Sequence, residues 1–105
     1  MRRVEFAPAA RAELQTSVDR YEREYPGRGL RFAAAVERAT RAAAATPSAG
    51  SAFPGVPERF GVRRRMVRGF PFSIAYRLLG DVVRIDAVVH ERRPPGYWHR
   101  RLKPG

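Results

Sequence analysis

The sequence predicts an α+β domain: an N-terminal strand and a helical hairpin packed on one face of a small antiparallel sheet, in the order β-α-α-β-β-β. Three observations lead there. Apolar residues recur at steps of three and four through the first half of the chain, the period of an amphipathic helix. From residue 60 onward they alternate, the period of a half-buried strand. Between the two lies a proline- and glycine-rich stretch with no period at all. At 105 residues the chain has the length of one domain, expected to run over 1–105 as a single unit. The helices precede the sheet hairpins, so they are expected to pack as a block on one face and leave the other open.

The elements follow in order. "RRVEF" alternates Val4 and Phe6 against Arg3 and Glu5, a short strand. Pro8 suits the first position of a helix, and Ala10, Leu14, Val18, Tyr21 and Tyr25 form one stripe behind it. "YPGRG" breaks that helix. A second helix is expected from about Leu30 to Ala45, with Phe32, Val36, Ala39 and Ala43 inward, ended by Pro47. Residues 47–59 read as loop, pinned to the core by Phe53 and Val56. In "FGVRRRMVR" the residues Phe60, Val62, Arg64 and Met66 share one side, and Arg63, Arg65 and Val67 the other. "FPFSIAYRLL" sets Phe72, Ile74, Tyr76 and Leu78 against Ser73, Ala75 and Arg77, with Pro71 at the strand start where no ladder donor is needed. Gly80-Asp81 is a two-residue hairpin turn. The last strand is expected to turn Val83, Ile85, Ala87 and Val89 inward and Val82, Arg84, Asp86 and Val88 outward.

Composition narrows the function. Lys+Arg is 21 against 10 acidic residues, a net charge of +11. Lys103 is the one lysine. GC-rich codon usage accounts for arginine over lysine but not for the net charge, which predicts a polyanionic partner, either nucleic acid or an acidic protein. There is no cysteine, hence no disulfide framework and no Cys-based zinc site. Two histidines cannot build a metal cage without several carboxylates, so neither a metal nor a cofactor is expected. No run approaches the roughly 18 apolar residues of a membrane span, and "MRRVEFAP" lacks the apolar stretch of a signal peptide. A cytoplasmic protein is expected.

On this layout the open face carries Arg63, Arg65, Ser73, Arg77 and Arg84, with Asp86 near them. A solvated face with arginine stems across the sheet is one reading. An anion-binding face is the other, because like charges opposed across strands repel. At the rim, "HERRPPGYWHRR" begins with His90, which ends the last strand, and continues through Arg92 and Arg93. Pro94-Pro95 stiffens the exit. Trp98 is expected to pack on the core, and Tyr97 either to do the same or to stack on a base. If the anion is RNA cut without a metal, the reaction needs a base, donors for the phosphorus-centred charge, and an acid. Arginines supply only the donors. His90 is the best acid–base candidate, because imidazole titrates near neutrality, and Tyr97 is second.

The residues "VEFAPAARAEL" at 4–14, the Phe-Pro-Phe…Tyr strand at 70–76, and the His-x-Arg-Arg-x-Pro-x-Tyr-Trp ending at 90–98, in this order, resemble the RelE/ParE superfamily of type II toxin–antitoxin toxins. The resemblance implies a small basic toxin neutralised by an acidic antitoxin in a hetero-oligomer. RelE-like members are ribosome-dependent mRNA endoribonucleases, and ParE-like members poison DNA gyrase without being enzymes. Carried over residue by residue, Arg63, Arg65, Arg93 and Tyr97 fall where RelE-like toxins carry basic residues and a tyrosine. With His90, the acid–base candidate, they are the catalytic candidates, and Arg77 and Arg84 from the sheet face and Arg92 from the tail are candidates for phosphate or RNA contact. Ser73 falls where RelE-like toxins place a further arginine, a departure that points away from nuclease activity. The expected activity is the ribonuclease, with the gyrase poison and an inactive orphan as alternatives.

Overall fold

The computed structural model describes residues 2–94 and 97–102. Strand β1 (Arg3–Phe6) leads into helix α1 (Pro8–Glu24), and α2 (Arg28–Ala45) follows at once. Pro8 occupies the first turn of α1, where its missing N–H is not needed. Gly27, at φ 89°, makes the left-handed turn between the helices that a side chain would resist. Two residues later Gly29 lets the helices touch: a Cβ there would sit 2.5 Å from the Val18 carbonyl oxygen. The loop after α2 contains a two-residue strand, β2 (Ser51–Ala52), which periodicity did not reveal. Then come β3 (Arg63–Val67), β4 (Phe72–Leu79) and β5 (Val82–His90), and a final 3-10 turn at His99–Arg101.

The five strands make one sheet in the order β1-β5-β4-β3-β2. It is mixed rather than antiparallel, because β1 runs parallel to β5 through Arg3–Phe6 opposite Val82–Ile85. The strand–helix–helix–three-strand order matches the expectation, with β2 added at the edge.

The helices cover one face. Tyr21, Phe32, Val36, Phe72, Ile74, Tyr76, Val83 and Ile85 form the main core there. Tyr21, Phe32, Phe70 and Phe72 interlock at centroid distances of 4.7–6.1 Å, in tilted or edge-on geometry that favours aromatic pairs. The buried Tyr76 hydroxyl donates to the Pro47 carbonyl at 2.7 Å, tying the end of α2 to the sheet.

The other face is not open, which corrects the expected layout. Phe53 and Val62 from the long loop and its exit meet Ala75, Ala87, Val89, Trp98 and Leu102 in a second core. Trp98 is 1% exposed and packs edge-on against Phe53 at 5.0 Å, so the expectation of core packing holds for it. Periodicity could not announce this layer, because its lid is a loop and a tail. Pro95, half of the expected stiff exit, lies outside the described residues.

Two faces are also exchanged. Strand β3 sets Arg63, Arg65 and Val67 opposite Tyr76, Ile74 and Phe72, all in the helix-side core. Arg63 and Arg65 therefore stand on the helix side, and Arg64 and Met66 on the other. The apolar residues that precede them, Phe60 and Val62, belong to the second core, so their alternation marks that layer. In β5 the register shifts between Ala75 and Tyr76: Tyr76 faces Ile85 and Ala75 faces Ala87, leaving Asp86 unopposed. This bulge keeps Val83 and Ile85 on the helix side and moves Ala87 and Val89 to the second core, with Val88 turned back to the helices.

At the bulge, Arg77 holds Asp86 through two parallel bonds of 2.7 and 2.8 Å, with side chains only 11% and 4% exposed. Arg84 lies 3.9 Å from Asp86 and 4.0 Å from Glu5. Breaking such a pair strands a buried charge, whereas replacing both partners by apolar residues removes the problem with the gain. Asp86→Ala should lower unfolding free energy by about 3–5 kcal/mol, and the double variant Arg77→Met/Asp86→Leu by much less. Urea denaturation followed by circular dichroism checks both, and equal losses would contradict this account of the bulge.

Candidate functional site

Strand β1 reaches only as far as Ile85, so the second half of β5 has no strand on its outer side. Side chains take that role. Glu13, on α1, accepts the Val88 backbone N–H at 3.1 Å. The Asp86 carbonyl accepts from Arg101 at 3.5 Å. Arg101 also binds Glu13 through both terminal guanidinium nitrogens, at 2.7 and 3.3 Å, and the Tyr97 hydroxyl donates to Glu13 at 2.8 Å. Glu13 thus joins α1, the bare half of β5 and the C-terminal segment. No pattern within one element singles it out, since its partners are 75 to 88 residues away.

His90 ends β5 beside this knot. Its ring meets Phe72 edge-on at 5.0 Å. Its Nδ1 accepts the Arg92 N–H at 3.0 Å, which puts the proton of the neutral ring on Nε2. Arg93 lays its guanidinium over the Tyr97 ring at 4.1 Å, a stacking that suits arginine. His90 and Arg93 form a ridge between two clefts. The first, of about 440 Å³, lies toward α1 and is lined by Glu13, Thr16, Ser17, Arg20 and Tyr97 as well as the ridge. The second, of about 160 Å³, lies toward the second core and is lined by Phe53, Arg64, Met66, Ser73 and Glu91 with the same ridge.

Of the eight side chains singled out by sequence, the fold brings three together: His90, Arg93 and Tyr97 share the first cleft. Arg92 follows in the exposed turn after β5. Arg63 and Arg65 are on the helix side of β3, and Arg63 donates to the Gly50 carbonyl at 2.6 Å. Arg77 and Arg84 are paired with each other across the β4–β5 hairpin. They sit five residues along β4 from the Phe72–His90 pair, about 17 Å at the rise of an extended strand. No single face gathers these arginines. The β3 guanidinium beside Ser73 is Arg64, and Ser73 itself is buried with its hydroxyl 3.2 Å from the Met66 sulfur. Sequence reading missed Glu13, Arg20 and Arg64.

Among the described residues, no group of three or more His, Cys, Asp or Glu side chains is placed to hold a metal. Burial, above all, pushes the Tyr97 phenol above its ordinary value of 10, and the hydrogen bond to Glu13 and that carboxylate's charge add to the rise. The Glu13 hydrogen bond in turn raises the Arg101 guanidinium. A folded-state value raised above the unfolded one stabilises the protein below pH 10 and ceases to do so as pH climbs through the folded value. Tyr97 should therefore remain protonated above pH 10, Glu13→Gln should lower its midpoint, and stability should fall as Tyr97 ionises. NMR titration of ring-labelled tyrosine reads the midpoint. A midpoint unmoved by Glu13→Gln would remove Glu13 from the cause.

The comparisons with known proteins agree with this architecture. The family described as ParE toxin of type II toxin–antitoxin system, parDE, matches residues 4–95. Among solved structures, the fold resembles that of a chain from a chromosomal ParDE toxin–antitoxin system from P. aeruginosa. Their TM-score is 0.72, with 23% identity over 86% of this chain and 96% of that one. No curated protein matches the sequence. No helix among the described residues is long and apolar enough to cross a membrane. With a match that spans most of its length, the chain belongs to the ParE toxin family of type II toxin–antitoxin systems.

Proposed function

We propose that this chain arrests growth as a ParE-type poison of DNA gyrase, held in check by an acidic antitoxin, and that it does not cut RNA. The observation that carries this choice is the content of the second cleft. A metal-free ribonuclease needs cations around the phosphate together with an acid and a base in reach. Here Met66 and the buried Ser73, in contact with each other, line the cleft together with Arg64 and Arg93. Arg63 and Arg65 point to the opposite face, and Arg77 and Arg84 are held by carboxylates at the far end of the sheet. The Tyr97 hydroxyl donates a hydrogen bond to Glu13 and is held in its protonated form, which suits a packing role better than proton transfer.

Family membership supports the gyrase reading, because the resemblance attaches that target to ParE-like members. It also supports an antitoxin as partner, and the net +11 favours an acidic one through steering and complementarity. One feature favours the ribonuclease instead: His90, Arg93 and Tyr97 do share a cleft.

Expression of the chain alone should give filamentous cells and induce the DNA-damage response. The purified protein should inhibit supercoiling by gyrase and leave mRNA on programmed ribosomes intact. Cuts in that mRNA that disappear with Arg93→Ala would replace this reading with the nuclease.

A further inference from the structure

On the helix side of the sheet, away from His90, Arg38 from α2 and Arg65 and Arg68 from β3 and its turn line a third cleft, of about 440 Å³. Its remaining lining is Met66 and the small residues Ala35, Ala39 and Ala42, with no acidic side chain. Several other arginines have partners. Arg41 binds Glu37, Arg63 binds Gly50, Arg77 binds Asp86, and Arg101 binds Glu13. None of the three guanidiniums in this cleft makes a hydrogen bond or ion pair among the described residues. The Arg65 Nε–H is buried with no partner at all. A buried donor on a charged group left unsatisfied is unfavourable, and three like charges around one hollow add repulsion that a bound anion relieves.

We infer that this cleft is a binding site for a phosphate oxyanion, the group a nucleic-acid backbone presents. Three forked cations match the several oxygens and the charge of a phosphate, whereas a single carboxylate satisfies one fork. The site stands on the other side of β3 from Ser73 and Arg64 and does not depend on which target the toxin has.

The test uses the full chain with nitrogen-labelled arginine, titrated with inorganic phosphate, with a short DNA duplex, and with an oligoglutamate peptide. The Arg65 Nε–H signal should shift and saturate with phosphate or with duplex. Arg38→Gln/Arg68→Gln should weaken that binding by about tenfold or more and flatten the salt dependence of duplex binding, by about one in slope per lost contact. Both substituted residues are exposed, so the fold should persist, and Arg93→Gln should leave the shift unchanged. Saturation by phosphate but not duplex supports the site with a small phosphate as its ligand. No shift with either, an equal shift in the double variant, or saturation by oligoglutamate alone would overturn the inference.

Discussion

The fork between Arg77 and Asp86 is the constraint on which the rest of the sheet turns. It holds the bulged residue of β5 in place, and the bulge decides which way every later residue of that strand faces. With it, Val88 and His90 turn toward α1, and Ala87 and Val89 receive Trp98 and Phe53. A regular strand would reverse all of these, since side chains alternate with period two. The ridge of His90 and Arg93, and both clefts beside it, are consequences of one extra residue at the middle of the strand.

The second dependence is on Glu13. A strand half without a neighbour on its outer side would leave unpaired backbone groups, a template for unwanted pairing. Here a carboxylate from α1 and a guanidinium from the C-terminal segment engage one N–H and one C=O of that edge. The same carboxylate fixes Tyr97, so the tail that carries Trp98 into the second core is anchored on both sides of the sheet's end. Covering the edge and placing the site residues are one arrangement.

The basic charge is therefore not one surface. Part of it is structural, spent on Asp86, Glu13, Glu37 and a backbone carbonyl. Part stacks on aromatic rings, as Arg93 does on Tyr97 and Arg11 on Phe6 at 4.6 Å. A third part, Arg38, Arg65 and Arg68, stands without a partner among the described residues in the cleft beside α2. Net charge alone counts these three classes together. Distinguishing them takes the pairing of residues that are remote in the chain, and that distinction separates a basic protein from a phosphate-cutting one.

The helical hairpin, the β4–β5 hairpin with its turn at Gly80-Asp81, and the burial of Phe53 and Trp98 were all legible in residue order, because each rests on local period, turn chemistry or apolar size. The two-residue β2 was not, being too short to show a period. Nor was the face of β3: alternation separates two sides of a strand but does not say which side meets the helices, and a second core reversed the assignment of Arg63 and Arg65. The bulge at Asp86 was equally hidden, since its cause is a partner nine residues away across a hairpin. The sequence by itself determined the order of elements, the helix stripes and the excess of positive charge. Only the tertiary structure decided which charges are neutralised and which residues share a cleft, because both depend on contacts such as Glu13 with Tyr97 that no local pattern encodes.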